Sequence, residues 1–234
     1  MDLSVFMSGN SNTVILFFAH SAKEDLKLKR FSKASVHYQL FTKLHRHTLR
    51  TLRSCKLPIL HFSEENQNGL DLAERLTNAV AEAFAKGYKN VIAVGNDTPD
   101  LSANDLLRAA AVLAEGGSVL GPSADGGNYL IGINQRHFHK NAFCTALREA
   151  DNTHKKLVEL LDSPLELETL TDIDDEKSLN HWINSFSYDL EKLRLRKEIL
   201  TLFASGFRKF KISQDFSSSV ILSRITDRGP PRAA

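Results

Sequence analysis

Short apolar runs alternate with amphipathic stretches along much of the chain. Continuous runs rich in β-branched and aromatic residues are typical of strands that are buried on both faces of a sheet. Five such runs predict strands at residues 13–19, 57–62, 90–95, 118–121 and 129–133. Residues 165–170 instead alternate apolar and polar positions, which predicts a half-exposed or edge strand.

The stretches between these runs carry apolar side chains at helical spacing. In residues 71–86 they step by four from Leu72 to Phe84, and Asp71 and Gly87 are suited to cap the two ends. Helices are likewise predicted over 33–53, from Ser102 to Gly116, and over 157–161, 176–186 and 188–204. Strands that alternate with helices predict an α/β fold with a mostly parallel sheet and helices on both faces.

Charge is distributed unevenly along a chain of ordinary globular composition, 42% hydrophobic and 25% charged. Residues 1–56 contain 10 Lys and Arg against 3 acidic residues, residues 57–183 contain 10 against 20, and residues 184–234 contain 10 against 5. A basic opening and an acidic centre fit a site where cations meet phosphates and carboxylates hold a metal. Solvated basic helix faces would give the same balance.

Cellular location and partners are constrained by what the sequence lacks. The two cysteines, Cys55 and Cys144, cannot form a disulfide framework and suit a reducing cytoplasm. The sequence shows no signal-peptide pattern and no apolar stretch of about 18 residues or more, so we expect no membrane span. The basic residues near the C-terminus form no recognisable nucleic-acid motif, so we expect no nucleic-acid partner. The apolar stripe of residues 188–204 indicates core packing or a homodimer interface.

Residues 96–100, N-D-T-P-D, directly follow the third predicted strand. In open α/β sheets ligands bind beyond the carboxyl ends of the strands, so Asp97 is expected to face a ligand. Its carboxylate could hold Mg²⁺ or Mn²⁺ that bridges the phosphates of a nucleotide. Alternatively, Asp97 and Asp100 only shape the turn before Ser102.

Two later segments carry similar chemistry. The glycines of 125–127, D-G-G, let the backbone approach a ligand closely, although the same residues also signal a hairpin turn. Asp172 and Asp174 fall on one side of an extended segment and could complete a metal site with Asp97. Alternatively, they form the acidic N-terminus of the next helix, which the helix dipole favours.

Four ordered blocks of sequence carry a family resemblance. They are Q-N-G-L-D-L-A-E-R at 67–75, G-N-D-T-P-D-L at 95–101, G-P-S-A-D-G-G-N-Y-L-I-G at 121–132 and D-I-D-D-E-K-S-L at 172–179. With them the chain resembles the GT-A-like nucleotide-diphospho-sugar transferase superfamily, in particular the radical-SAM/selenodomain-associated transferase (glycosyltransferase A) family. The resemblance spans about residues 13–183 and implies a three-layer α/β/α fold with a Rossmann-like mixed sheet.

This resemblance implies a metal-dependent glycosyl- or nucleotidyltransferase that takes a nucleotide-sugar or NTP donor and an acceptor the sequence does not identify. It implies Mg²⁺ or Mn²⁺ as cofactor, held by Asp97 with Asp172 or Asp174. Asp97 and Asp125 are the candidate catalytic residues, and the loop from Asp125 to Gly127 borders the acceptor. The candidate substrate-binding residues are Arg30, Lys27, Lys29, Gly95, Asn96, Gly126 and Gly127.

One part of the family pattern is degenerate in this sequence. The family opens with a phosphate-binding loop, roughly F-x-K-x-P-x-x-G-x-x-K-T-R-L, which here reads F-A-H-S-A-K-E-D-L-K-L-K-R-F over 18–31. Asp25 replaces the glycine, and Glu24 and Asp25 bring negative charge to the place where phosphates should bind. A second hypothesis is therefore a catalytically impaired GT-A-like protein with a binding or regulatory role.

The domain organisation is predicted from the same four blocks. Residues 1–186 are predicted to form the GT-A-like domain. Residues 187–234 are predicted to form a C-terminal helix and a basic, partly disordered tail.

Overall fold

The computed structural model describes residues 11–29, 31, 35–149, 152–185 and 189–206. Within these ranges six strands form one sheet. The strands are β1 (Thr13–Phe18), β2 (Ile59–Phe62), β3 (Asn90–Val94), β4 (Val119–Pro122), β5 (Asn128–Asn134) and β6 (Leu165–Glu166). The α-helices are α1 (Ala22–Leu28), α2 (Ser35–Ser54), α3 (Leu72–Ala85), α4 (Ala103–Ala114), α5 (Lys140–Arg148), α6 (Thr153–Leu160), α7 (Glu176–Asn184) and α8 (Leu190–Gly206).

The sheet is mixed and mostly parallel, as predicted. Its strand order is β2-β1-β3-β5-β4-β6, in which β5 runs antiparallel to both of its neighbours while the other pairs are parallel. The predicted α/β fold class is confirmed. Because β1, β2 and β3 are parallel, their carboxyl ends lie at one edge of the sheet, and the loops that follow them meet there.

Side chains of the central strands alternate between two apolar layers. On β1, Val14 and Leu16 pack with α3, α5 and α6 on one face, whereas Ile15 and Phe17 pack with α4 and the end of α2 on the other. All four side chains are fully buried, and burial of each contributes about 1.5–3 kcal/mol. The continuous apolar runs therefore mark strands covered on both faces, and the predicted three-layer arrangement is confirmed.

A third apolar cluster joins the first half of α2 to α7 and α8. Trp182 of α7 is buried there, and the guanidinium carbon of Arg196 lies 4.9 Å from the centre of its ring. Ile199 and Phe203 of α8 pack into the same cluster. Thus α8 packs on the domain that precedes it. The division at residue 186 and the homodimer remain predictions, and the tail at 207–234 lies outside the described residues.

Two helices were not predicted from the sequence. α5 was not recognised, and α1 occupies the stretch that matches the phosphate-binding loop of the family. α1 is stabilised by Ser21, whose side chain accepts a hydrogen bond from the Glu24 backbone. β6 is shorter than the predicted strand at 165–170, although Leu170 still bridges to Ser123. No helix in the described ranges combines the length and the apolar character needed to cross a membrane.

Gly121 lies beneath the ring of Tyr129 and has no room for a side chain. A Cβ atom at this position would be 2.5 Å from Cζ of Tyr129, which is itself buried and donates its hydroxyl to the Glu168 carbonyl. We predict that Gly121→Ala lowers the free energy of unfolding by about 1–3 kcal/mol, measured by urea denaturation. In a Tyr129→Leu background the same change should cost less. An equal cost in both backgrounds would show that the ring is not the constraint.

Candidate functional site

A pocket of about 550 Å³ opens at the carboxyl ends of β1 and β3. Among the residues that the structure describes, its lining is markedly acidic, because five aspartates face it together with one lysine and one histidine. The aspartates are Asp25, Asp97, Asp125, Asp174 and Asp175, and the basic residues are Lys29 and His20. The apolar part of the lining includes Leu28 and Leu72, which are 60% and 67% exposed at the pocket mouth.

The ammonium group of Lys29 lies at the centre of the carboxylates. Its Nζ is 3.1 Å from Oδ2 of Asp97, 3.1 Å from Oδ1 of Asp174 and 2.7 Å from the carbonyl oxygen of Ile173. The Lys29 side chain is only 11% exposed. Burial alone would lower the pKa of Lys29, but the charges of Asp97, Asp174 and Asp25 raise it above its usual value. Lys29 is therefore a cation at neutral pH.

Two backbone features bring these groups together. α1 ends at Leu28, and Lys29 takes an extended conformation while its N–H donates to the Asp25 carbonyl, so its side chain enters the pocket. The N–H of Ile173 donates to the Asp97 carbonyl at 2.8 Å, which ties the loop before α7 to the loop after β3. The segment at 172–175 therefore lies beside Asp97, as the spacing of the acidic residues suggested.

The same acidic segment also caps α7. Asp175 is the N-cap residue, and its side chain accepts a hydrogen bond from the Ser178 backbone. The backbone N–H of Asp174 donates to the Ser178 hydroxyl, which leaves the Asp174 carboxylate free to meet Lys29. One acid of the segment therefore caps the helix, as the helix-dipole interpretation predicts, while its neighbour Asp174 lines the pocket. The metal site with Asp97 remains a prediction.

Asp172 is turned away from Lys29 and towards Thr98. It accepts a hydrogen bond from the Thr98 hydroxyl. Burial, with the nearby charge of Asp97, raises the pKa of Asp172 to about 7, although the hydrogen bond from Thr98 acts in the opposite direction. Asp172 therefore contacts the loop after β3 through Thr98, whereas Asp174 lines the pocket.

The degenerate loop is stabilised by internal hydrogen bonds. Asp25 is 4% exposed, and the side-chain amide of Asn96 donates to it at 2.9 Å. Burial raises the pKa of Asp25. At the N-terminus of α1, the backbone N–H and the hydroxyl of Ser21 donate to the carboxylate of Glu64 at 2.8 and 2.5 Å. Burial tends to raise the pKa of Glu64, but the hydrogen bonds from Ser21 hold it below its usual value.

The predicted site residues do not all reach the pocket. Six of them line it, namely Lys29, Gly95, Asn96, Asp97, Asp125 and Asp174. Gly126 and Gly127 follow Asp125 in a turn closed by a hydrogen bond from the Gly127 N–H to the Asp125 carboxylate. Lys27 is 57% exposed and pairs with Glu24. Arg30 lies outside the described residues.

Two acidic residues have partners that the sequence did not reveal. Asp100 forms ion pairs with Lys192 and Arg196 of α8, at 3.7 and 3.9 Å, so it contacts α8 and does not line the pocket. Glu64 was overlooked, although it follows β2 at the same sheet edge as Asp97. The rule that identified Asp97, an acid just past a strand's carboxyl end, would have identified Glu64 too.

The oxygens around Lys29 are of the kind that a divalent cation binds. Two carboxylates and one backbone carbonyl converge on the ammonium, and Mg²⁺ and Mn²⁺ prefer such oxygen ligands. Among the described residues, no group of three or more His, Cys, Asp and Glu side chains could hold a metal ion. Mg²⁺ is commonly held by one or two carboxylates together with waters and substrate phosphates, so the oxygens present fit the implied ion. In this arrangement Lys29 supplies the positive charge beside them.

Comparison with known structures supports the fold. The chain is similar to the putative nucleotide-diphospho-sugar transferase from Desulfovibrio desulfuricans G20, with 24% identity, a TM-score of 0.68, and coverage of 84% of this chain and 98% of that one. At this identity the similarity establishes the fold alone.

Two mycobacterial structures are more distant. A homologue of Rv0371c from Mycobacterium sp. strain JC1 is 13% identical, with a TM-score of 0.44 and coverage of 82% of this chain and 98% of that one. Rv0371c of Mycobacterium tuberculosis H37Rv in complex with manganese is 15% identical, with a TM-score of 0.40 and coverage of 74% and 98%. These TM-scores are too low to support an inference about this chain. No curated protein matches the sequence.

A family model matches the central part of the chain. Residues 32–146 match the DUF2064 family, described as uncharacterized protein conserved in bacteria. The matched range contains Asp97 and Asp125 but ends before Asp174 and begins after Lys29. Residues 32–146 are thus similar to the DUF2064 family, and the fold of the chain is similar to that of a putative nucleotide-diphospho-sugar transferase.

Proposed function

We propose that this protein is a glycosyl- or nucleotidyltransferase that binds a nucleotide-sugar or NTP donor in the acidic pocket beyond β1 and β3. The observation that carries the proposal is the position of Asp97. It follows β3 at the carboxyl edge of the sheet and lines a pocket large enough for a nucleotide, about 550 Å³. The similarity of the fold to that of a putative nucleotide-diphospho-sugar transferase supports the same assignment.

Charge in the pocket favours a donor that arrives with a cation. Five aspartates line the pocket against Lys29 and His20, so a bare diphosphate would meet net negative charge. Asp97 and Asp174 are the residues that would hold Mg²⁺ or Mn²⁺. When bound there, the ion would neutralise the charge that develops on the diphosphate leaving group.

The remaining residues of the pocket have complementary roles. Lys29 would contribute positive charge to the phosphates, and Asn96 donates a hydrogen bond to the buried Asp25. Asp125 and the turn after it would border the acceptor, where a carboxylate can take a proton from an attacking hydroxyl. The two free cysteines, Cys55 and Cys144, support placing this chemistry in the cytoplasm.

Donor binding can be measured by isothermal titration. We expect at least one UDP-sugar, GDP-sugar or NTP to bind in the presence of Mn²⁺, and we expect Asp97→Asn to weaken that binding by about tenfold or more. Asp162→Asn is the matched control, because it removes one carboxylate from the exposed turn before β6. If the wild-type protein binds none of these donors, the proposal is wrong.

A catalytically impaired binding or regulatory protein is the second candidate. Contacts within the chain favour this candidate. Lys29 already compensates the charges of Asp97 and Asp174, and Glu64 already accepts a hydrogen bond from Ser21 at the start of α1. A protein with this role would bind a donor without converting it. Binding alone therefore does not separate the two candidates, whereas turnover does.

The transferase proposal predicts release of the nucleotide from the donor that binds. With Mn²⁺ present we expect slow donor hydrolysis by the wild-type protein, and a decrease of about 100-fold or more in Asp97→Asn, because charge stabilisation at the leaving group is lost. Nucleotide release is followed by chromatography, with Asp162→Asn as the control. Tight binding with no release above the uncatalysed rate would favour the second candidate.

A further inference from the structure

Lys29 occupies the place of a cation in the pocket. Its ammonium contacts two carboxylate oxygens and one backbone carbonyl at 2.7–3.1 Å, and these oxygens come from the loop after β3 and the loop before α7. A divalent ion would have to sit about 2.0–2.6 Å from the same oxygens. The ion and the ammonium would then be close neighbours of like charge, so the two cannot share this position.

We propose that Lys29 is a built-in counter-ion that competes with divalent cations for Asp97 and Asp174. Free Mg²⁺ or Mn²⁺ therefore binds weakly to the pocket, because it must first displace the ammonium from its oxygens. A donor diphosphate removes this cost, since it offers the displaced ammonium new oxygens. This last step rests on the proposed function, whereas the competition itself does not.

The burial of Lys29 makes the competition strong. Its side chain is 11% exposed, so the ammonium has exchanged most of its hydration for the three protein oxygens. Lys27, two residues earlier on α1, differs in this respect. Its side chain is 57% exposed, and the ion pair described for it is with Glu24. The two lysines carry equal charge on one short segment, but only Lys29 reaches the carboxylates.

The first test is binding of Mn²⁺ alone, with no nucleotide present. Lys29→Met removes the ammonium and keeps most of the apolar stem, and it leaves Asp97 and Asp174 with an uncompensated charge. We expect Mn²⁺ to bind this variant about tenfold or more tightly than the wild-type protein, measured by the loss of the free Mn²⁺ signal in electron paramagnetic resonance. Lys27→Met changes the net charge equally and should match the wild-type protein. A Lys29→Met affinity no tighter than the wild-type affinity would overturn the proposal.

A second test uses the wild-type protein and so does not depend on the folding of a variant. Mn²⁺ at a concentration that fills the pocket should free Lys29 from its oxygens and increase its reaction with an amine-specific acylating reagent. Mass spectrometry of the peptide gives the extent of modification, with Lys27 as the internal reference. Unchanged Lys29 reactivity at that Mn²⁺ concentration would contradict competition.

The two proposals fail separately in these experiments. If no donor binds but Lys29→Met gains Mn²⁺ affinity, the competition stands and the transferase proposal falls. If donors bind the wild-type protein but Lys29→Met gains no Mn²⁺ affinity, the transferase proposal stands and the competition falls. The variant also allows the coupled step to be measured, because loss of the ammonium should weaken donor binding in the presence of Mn²⁺ by about fivefold or more.

Discussion

The conformation of the pocket depends on the contacts of the Lys29 ammonium. They join three segments that are far apart in the sequence, because Lys29 follows α1, Asp97 follows β3, and Asp174 precedes α7. A buried ion that loses its partner typically costs about 3–5 kcal/mol. The ammonium therefore helps to hold the loops at this edge of the sheet together, beside the backbone hydrogen bond from Ile173 to Asp97. A ligand that displaces Lys29 must supply equivalent charge.

The same constraint explains how the altered first loop is tolerated. A phosphate-binding loop presents free backbone N–H groups to an anion. At the start of α1, by contrast, the N–H of Ser21 donates to Glu64, and those of Glu24 and Asp25 donate to the Ser21 carbonyl. Asp25 stands where the family has glycine, and it is buried and bound by Asn96. Glu64 accepts the hydrogen bonds that Ser21 offers at the start of α1. The acids of this region are therefore compensated within the chain, and the positive charge that remains in the pocket is concentrated at Lys29.

The fold could be predicted from the sequence to a greater extent than the site. Buried strands such as β1 and β3 are covered on both faces, so their residues form apolar runs that stand out from the amphipathic helices. The caps at Asp71 and Ser102 were recognisable because their hydrogen bonds are local. The helix α1 is not predicted because the family resemblance indicates a degenerate loop at residues 18–31. Ser21, however, is a favourable N-cap residue.

Contacts within the pocket could be predicted only in part. Ligands bind at the carboxyl ends of strands, and this rule predicts a site at Asp97, which follows β3. The same rule applies to Glu64, which follows β2. The sequence does not show which of Asp172 and Asp174 contacts Lys29. That depends on the backbone hydrogen bond from the Ile173 N–H to the Asp97 carbonyl and on the capping of α7 by Asp175. These bonds fix which acid meets Lys29 and which meets Thr98. Spacing alone places both acids on the same side.

The position of the family match adds a constraint on how the site works. Residues 32–146 contain Asp97 and Asp125, whereas Lys29 and Asp174 lie outside the match on either side. The matched region thus contains Asp97, and the segments on either side of it supply Lys29 and Asp174. Among the described residues five aspartates line the pocket against Lys29 and His20. A cation that accompanied a phosphate-bearing ligand would offset this negative charge, and on our proposal it would have to displace Lys29 from Asp97 and Asp174.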